Sequence, residues 1–226
     1  SKSRKKRKTS NKTFGEPMGY GETQRAITRN ASIVPYSTRT LNSYDLVDID
    51  PMVNHEVNRR HRDIIDLKGI KLAMYMKNTI SEPLYFNVAV VVPKFNQSST
   101  TVANSDFFRA STDQRGTSFS TNLSPLEFHS LPINSDLFHI LLHRRFIVGG
   151  DDTAAGFTDS TKPNYLSFTK YLTVNRQIRF EDNNPVNGRI QLCYWADKID
   201  SAPTFLPTTN AYQVSEHHIC YYNNPK

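Results

Sequence analysis

The run Leu84-Tyr85-Phe86-Asn87-Val88-Ala89-Val90-Val91-Val92 contains no charged side chain and is dominated by aromatic and β-branched residues. Such residues fit a pleated surface and lose side-chain freedom in a helix, and a run this apolar predicts a central strand. Around it the chain keeps a period of two. Asp63 to Lys77 alternates in two halves about Gly69, with Ile65 and Leu67 before it and Ile70, Leu72, Met74 and Met76 after it, so Gly69 marks a bulge or bend. Tyr44 to Ile49, Leu137 to Leu142, Arg145 to Val148, Tyr165 to Phe180, Arg189 to Trp195 and His217 to Tyr222 add further strand signals. No helical period persists over a window longer than about ten residues. The fold class is all-β, a single jelly-roll antiparallel β-sandwich of about eight strands with long loops; another Greek-key sandwich remains compatible with the pattern.

The 226 residues are 37% hydrophobic and 11% aromatic, sufficient for one core. Residues 44–226 are assigned to the jelly-roll domain and 1–43 to a basic N-terminal arm and linker. Periodicity disappears between Pro93 and Leu131, where exposed loop with a helical turn is expected, on the outer surface or at a subunit contact. The two cysteines, Cys193 and Cys220, lie in apolar strand patterns and read as buried free thiols. No apolar run approaches the ~20 residues that span a bilayer, so no membrane insertion is expected. No secretory signal is recognisable and the chain reads as intracellular. It starts at Ser1 without an initiator Met, and more basic residues are expected upstream.

Charge is distributed unevenly. Lys2, Arg4, Lys5, Lys6, Arg7, Lys8 and Lys12 stand together with no acid and no large apolar residue among them. The whole chain has 28 basic and 21 acidic residues and a formal net charge of +7, so the arm alone supplies the excess and the body is neutral. A block of like charge without apolar partners cannot offset its ordering entropy, which predicts a disordered or extended arm awaiting an anion. Lys5-Lys6-Arg7-Lys8 has the character of a nuclear localisation signal read by a nuclear import receptor. Arg25, Arg29 and Arg39, with Tyr20 and Tyr36 interleaved, suit phosphate contact and base stacking as well as they suit a linker. Arg59, Arg60 and Arg62 form a second basic cluster, expected to hold nucleic acid on an inner wall.

Catalytic patterns are weak. Gly150-Asp151-Asp152 reads as a turn. His55-Glu56 and His61 have a spacing unlike the zinc-protease motif. His217-His218-Ile219-Cys220 joins Cys193 in a metal site only if their strands are neighbours, and on one strand only His218 and Cys220 share a side. Neither a catalytic residue nor a cofactor is assigned, and an enzyme is not expected.

With these features in place, the chain resembles the single jelly-roll capsid proteins of small circular Rep-encoding single-stranded DNA viruses, the circovirus-like group. The residues that carry the resemblance are Ile133-Asn134-Ser135-Asp136-Leu137-Phe138-His139-Ile140-Leu141-Leu142-His143-Arg144-Arg145-Phe146-Ile147-Val148-Gly149, then Lys170-Tyr171-Leu172-Thr173-Val174-Asn175-Arg176 and Leu192-Cys193-Tyr194-Trp195-Ala196. The arm departs from the circoviruses proper, being short and Lys-rich. The resemblance implies a self-assembling homo-oligomeric icosahedral shell of roughly sixty copies (T=1), a virion and host-nucleus localisation, a single-stranded DNA genome as partner, and attachment to a host cell-surface receptor. Arms in that number bring about +420 of charge to the interior, mostly as sequence-insensitive phosphate contacts. The alternative is a non-viral nuclear β-sandwich that binds nucleic acid or carbohydrate. Deleting residues 1–12 is expected to leave the body folded while removing most salt-sensitive DNA binding and impairing nuclear entry; circular dichroism, a salt titration of binding and cell imaging check the three parts.

Overall fold

The structure, a computed structural model, describes residues 23–51, 60–94, 102, 107–109, 116–117, 123–151, 162–199 and 206–225. The strands are β1 (Gln24–Tyr36), β2 (Asn42–Asp45), β3 (Ile64–Asn78), β4 (Leu84–Pro93), β5 (Phe108–Arg109), β6 (Gly116–Thr117), β7 (Phe138–Val148), β8 (Tyr165–Glu181), β9 (Asn184–Pro185), β10 (Gln191–Lys198) and β11 (Tyr212–Asn223). The short helix α1 (Pro125–Ser130) lies between β6 and β7.

Two sheets account for the body, one in the order β1-β11-β3-β8-β9 and one in the order β2-β10-β4-β7. Leaving aside the two-residue strands, the pairs are nested. β1 pairs with β11, β2 with β10, β3 with β8 and β4 with β7, all antiparallel. The chain is thus one long hairpin, and the ladders β11–β3 and β10–β4 wrap it into two layers. This strand order defines a jelly roll, as expected from the sequence.

Gln24–Tyr36, which the sequence places in the linker, belongs to the body, since β1 pairs with β11 from Gln24↔Tyr222 to Tyr36↔Tyr212. Its polar sequence follows from its place at a sheet edge, where only one phase of side chains turns inward. The two strand signals expected at Leu137 to Leu142 and Arg145 to Val148 are one strand, β7, broken in register where Val90↔Leu142 gives way to Val91↔Ile140. Leu141 is the extra residue, which explains why the alternation changes phase there.

The main core lies between the sheets. Ile70, Leu72, Met74 and Met76 of β3 meet Phe86, Val88 and Val90 of β4, with Leu192, Tyr194, Tyr212 and Cys220 around them. A second core covers the opposite face of the four-stranded sheet. Ala89, Val91, Cys193 and Trp195 are buried there beneath Phe107, Phe108, Phe128, Ile133 and Phe138. The described residues of 93–131 are therefore a cap, not the exposed loop that the loss of periodicity implied. The expected helical turn is present as α1, fixed by a capping box in which Ser124 and Glu127 satisfy each other's backbone N–H groups. The cap is locked by the indole N–H of Trp195, which donates to the Phe128 carbonyl at 2.7 Å. Burial of β4 on both faces explains why its sequence is a continuous apolar run.

His143 of β7 sits at the edge of this second core, its ring 5.6 Å from that of Trp195. Burial, then the neighbouring Arg145 and His129, push its pKa from the usual 6.5 down to about 4. A group whose pKa is depressed by folding contributes stability that is present above its unfolded value and lost as pH falls toward its folded one. The cap is therefore expected to weaken between about pH 6.5 and pH 4. Thermal unfolding across that window, followed by a red shift in the emission of Trp195, the only tryptophan, checks this. His143→Phe is expected to flatten the dependence.

Candidate nucleic-acid interface

The outward face of the five-stranded sheet brings basic and aromatic side chains together. Inward positions Ala26, Ile70, Leu172 and Cys220 are buried, so the alternate phase of each strand turns to solvent. Ladder register orders that phase into rows. Arg25 lies beside Tyr221, Gly69 and Thr173; Ile27 beside Ile219, Lys71 and Tyr171; Arg29 beside His217, Ala73 and Thr169. Two further rows are Ser215, Tyr75 and Ser167, then Gln213, Lys77 and Tyr165.

The expected irregularity at Gly69 is a bulge. Both ladders of β3 shift register between Leu67 and Gly69: Lys68 is the extra residue against β11, whereas against β8 the extra residue lies on β8, where Val174 and Asn175 oppose Lys68. Glycine is required for close approach: a Cβ there would lie 2.3 Å from the Tyr171 hydroxyl and 2.6 Å from the Leu172 carbonyl. Tyr171 consequently lies over Gly69, with its ring 5.9 Å from that of Tyr221. The Arg25 guanidinium is 5.8 Å from the Tyr221 ring on the other side. At the far end of the face Tyr75 and Tyr165 stack at 6.2 Å. Between the tyrosine pairs, Ala73, Ser167, Thr169 and Ser215 are too small to fill the surface and leave a shallow depression of about 440 Å³.

Among the described residues no carboxylate occupies these rows. Asp66 lies beyond the bulge, accepting from Gln177 at 3.4 Å. Glu216 turns inward and contacts the His218 ring at 2.6 Å, both side chains being buried. Cys220 is also inward, as expected, and its Sγ donates to the Leu46 carbonyl at 3.2 Å. Burial and Glu216 push the Cys220 thiol up to about 12. Cys193 is on β10 of the other sheet, so the strands that a Cys193/Cys220 metal site requires are not neighbours.

The sequence-derived site residues separate into three groups. Lys2, Arg4, Lys5, Lys6, Arg7, Lys8, Lys12 and Arg59 lie outside the described residues, as do Tyr20, His55 and Glu56. Arg25 and Arg29 are exposed on the face just described. Arg39 and Arg60 are withdrawn from any interface. Arg39 is buried in a two-pronged pair with Asp197, both contacts at 3.1 Å, and its guanidinium lies 5.2 Å from the Phe128 ring. Arg60 is 2% exposed: it donates to the Ile49 carbonyl at 3.0 Å and the Asp182 carbonyl, pairs with Asp63 at 2.7 Å, and lies 4.4 Å from the Phe180 ring. Both are corrected to structural cations, because a buried charge is tolerated only when fully paired and hydrogen-bonded. Arg62 is exposed and donates to the Pro225 carbonyl at 2.9 Å. Tyr36 packs 5.2 Å from Tyr194 and 5.6 Å from Tyr212, which gives it a core role in place of base stacking.

The sequence reading missed Lys71, Lys77, Tyr75, Tyr165, Tyr171 and Tyr221. The signal was the polar phase of β3, Lys71-x-Ala73-x-Tyr75-x-Lys77, whose complementary phase had identified the core.

No protein-family model matches the chain, and no curated protein matches it. Among solved structures, it is similar to one of infectious bursal disease virus, Gx strain, at 8% identity and a TM-score of 0.33, over 91% of this chain and 33% of that one. This chain thus spans about a third of the length of that match. It is also similar to the unassembled VP1 pentamer of KI polyomavirus, at 12% identity and a TM-score of 0.14, over 89% of this chain and 73% of that one. Likeness at this level does not bear on what the chain does, and the jelly-roll assignment rests on its own strand order.

Arg39→Ala and Arg60→Ala are each expected to cost about 3 kcal/mol of stability while leaving the salt dependence of DNA binding unchanged. Arg25→Ala and Arg29→Ala are expected to leave stability within about 0.5 kcal/mol and to reduce the salt slope by about 1 each. Denaturant unfolding and salt-titrated binding of all four variants check the separation.

Proposed function

We propose that this chain is a viral coat protein that assembles into an icosahedral shell and packages single-stranded DNA. The observation that carries this reading is the joining of an arm bearing the whole net charge to a neutral jelly-roll body. A neutral body can pack against copies of itself without long-range repulsion, while a charged arm collects phosphates and releases their counterions. Apolar side chains left at the surface support contact between copies: Ile140 and Ile147 on the edge strand β7, and Leu126 on α1. An edge strand with exposed apolar residues is also a natural place for another chain to pack.

In this reading Lys2, Arg4, Lys5, Lys6, Arg7, Lys8 and Lys12 hold the genome, and Lys5-Lys6-Arg7-Lys8 also directs import into the host nucleus. Arg25 and Arg29 continue the basic path from the arm onto the body. The work of the protein is assembly and packaging, without catalysis. Purified protein mixed with single-stranded DNA is expected to form closed shells visible by electron microscopy. A protein that remains monomeric at every salt concentration, with and without DNA, overturns the reading.

A further inference from the structure

The outward face of the five-stranded sheet has a composition that a solvated sheet face does not need. Tyr171 is 50% and Tyr165 53% exposed, and Ile27 and Tyr75 are exposed beside them. Arg25, Arg29, Lys71 and Lys77 are interleaved with these rings at the register positions given above. Nothing among the described residues covers the patch. We propose that this face is a second contact for single-stranded nucleic acid, in which unpaired bases stack on the Tyr171/Tyr221 and Tyr75/Tyr165 pairs and the four cations hold the intervening phosphates. It rests on the packaging reading only for the choice of ligand.

Charge selects the occupant. The basic arm of this chain is repelled by a face that carries four cations and, among the described residues, no carboxylate in its rows. A second copy presenting the same face is repelled likewise. A polyanion is attracted, and the exposed rings require one with accessible π-faces. Paired bases in a duplex have those faces covered by their neighbours, whereas a single strand leaves them open to aromatic side chains. Lys71 and Lys77 are six residues apart on one strand, a separation of ~20 Å, so the face accommodates several nucleotides. The depression lined by Ala73, Tyr75, Ser167, Thr169, Ser215 and His217, with the side chain of Glu216 turned inward beneath it, adjoins the Tyr75/Tyr165 station and leaves room for the backbone to cross. Gly69 is part of the same device, because any side chain there would displace the Tyr171 ring.

The test uses the full chain. A short oligothymidylate carrying 5-iodouracil is photo-crosslinked at high salt, where arm–phosphate attraction is screened, and the adducts are mapped by mass spectrometry. Adducts at Tyr171, Tyr221, Tyr75 or Tyr165 are expected. In anisotropy measurements at the same salt, Tyr171→Ala and Tyr165→Ala are each expected to weaken binding of the single strand about tenfold, while Tyr171→Phe and Tyr165→Phe retain it. Binding of a duplex of the same length is expected to be unchanged in all four variants. Adducts confined to residues 1–22, or alanine variants that bind single strands as tightly as the parent, overturn the proposal. Alanine variants that change oligomer size without weakening single-strand binding also overturn it, and assign the face to a second copy. Loss of shell formation with these adducts intact overturns the coat reading alone.

Discussion

The pairing of the first strand with the last is the constraint on which the rest of the molecule depends. Gln24 meets Tyr222 and Tyr36 meets Tyr212, and every later pair nests inside that one. β11 is a central strand, bonded to β1 on one side and β3 on the other. Each of its inward side chains, from Tyr212 to Tyr222, is buried. Without this strand β1 has no partner, β3 loses one of its two ladders, and the main core loses one wall. The basic and aromatic rows of the outward face disappear with it, because Tyr221, Ile219, His217, Ser215 and Gln213 each belong to one of them.

A second consequence of the nested hairpin concerns its tip. The connection between β4 and β7 closes the innermost pair and is free to be long. Its described residues return over the outer side of the four-stranded sheet, where Phe107, Phe108 and Phe128 pack edge-to-face with one another or with Trp195. The two sheets consequently differ. One is buried on both sides and offers its surroundings mainly an edge, β7. The other is buried on one side and offers a broad polar-aromatic face. This asymmetry leaves the molecule with an exposed strand edge and an exposed sheet face.

Much of this was legible where burial imposes a period. Ile70, Leu72, Met74 and Met76 announced a half-buried strand, Val88 to Val92 a doubly buried one, and Gly69 a bulge. What escaped notice depends on partners remote in sequence. Arg39 and Asp197 lie 158 residues apart, so nothing near Arg39 distinguishes a buried cation from one available to phosphate. Arg60 is similar, held by carbonyls of Ile49 and Asp182. β1 was hidden because an edge strand with one solvated face needs few apolar residues. Phe107, Phe108 and Phe128 were each visible as isolated aromatics among polar neighbours, yet only the return of the chain over β10 shows that they form one cluster.

The nested order also fixes when the protein becomes competent. The outward face takes Arg25 from β1, Lys71 from β3, Tyr171 from β8 and Tyr221 from β11, so it does not exist until nearly the whole chain has left the ribosome. Contacts of such sequence separation are slow to form and must await the C-terminal strand. Lys2 to Lys12 precede β1 in the sequence and are synthesised before it. During synthesis, therefore, the charges of Lys2 to Lys12 are present before the aromatic rows can assemble. Completion of β11 is the event that sets Arg25 beside Tyr221 and makes the outward face whole.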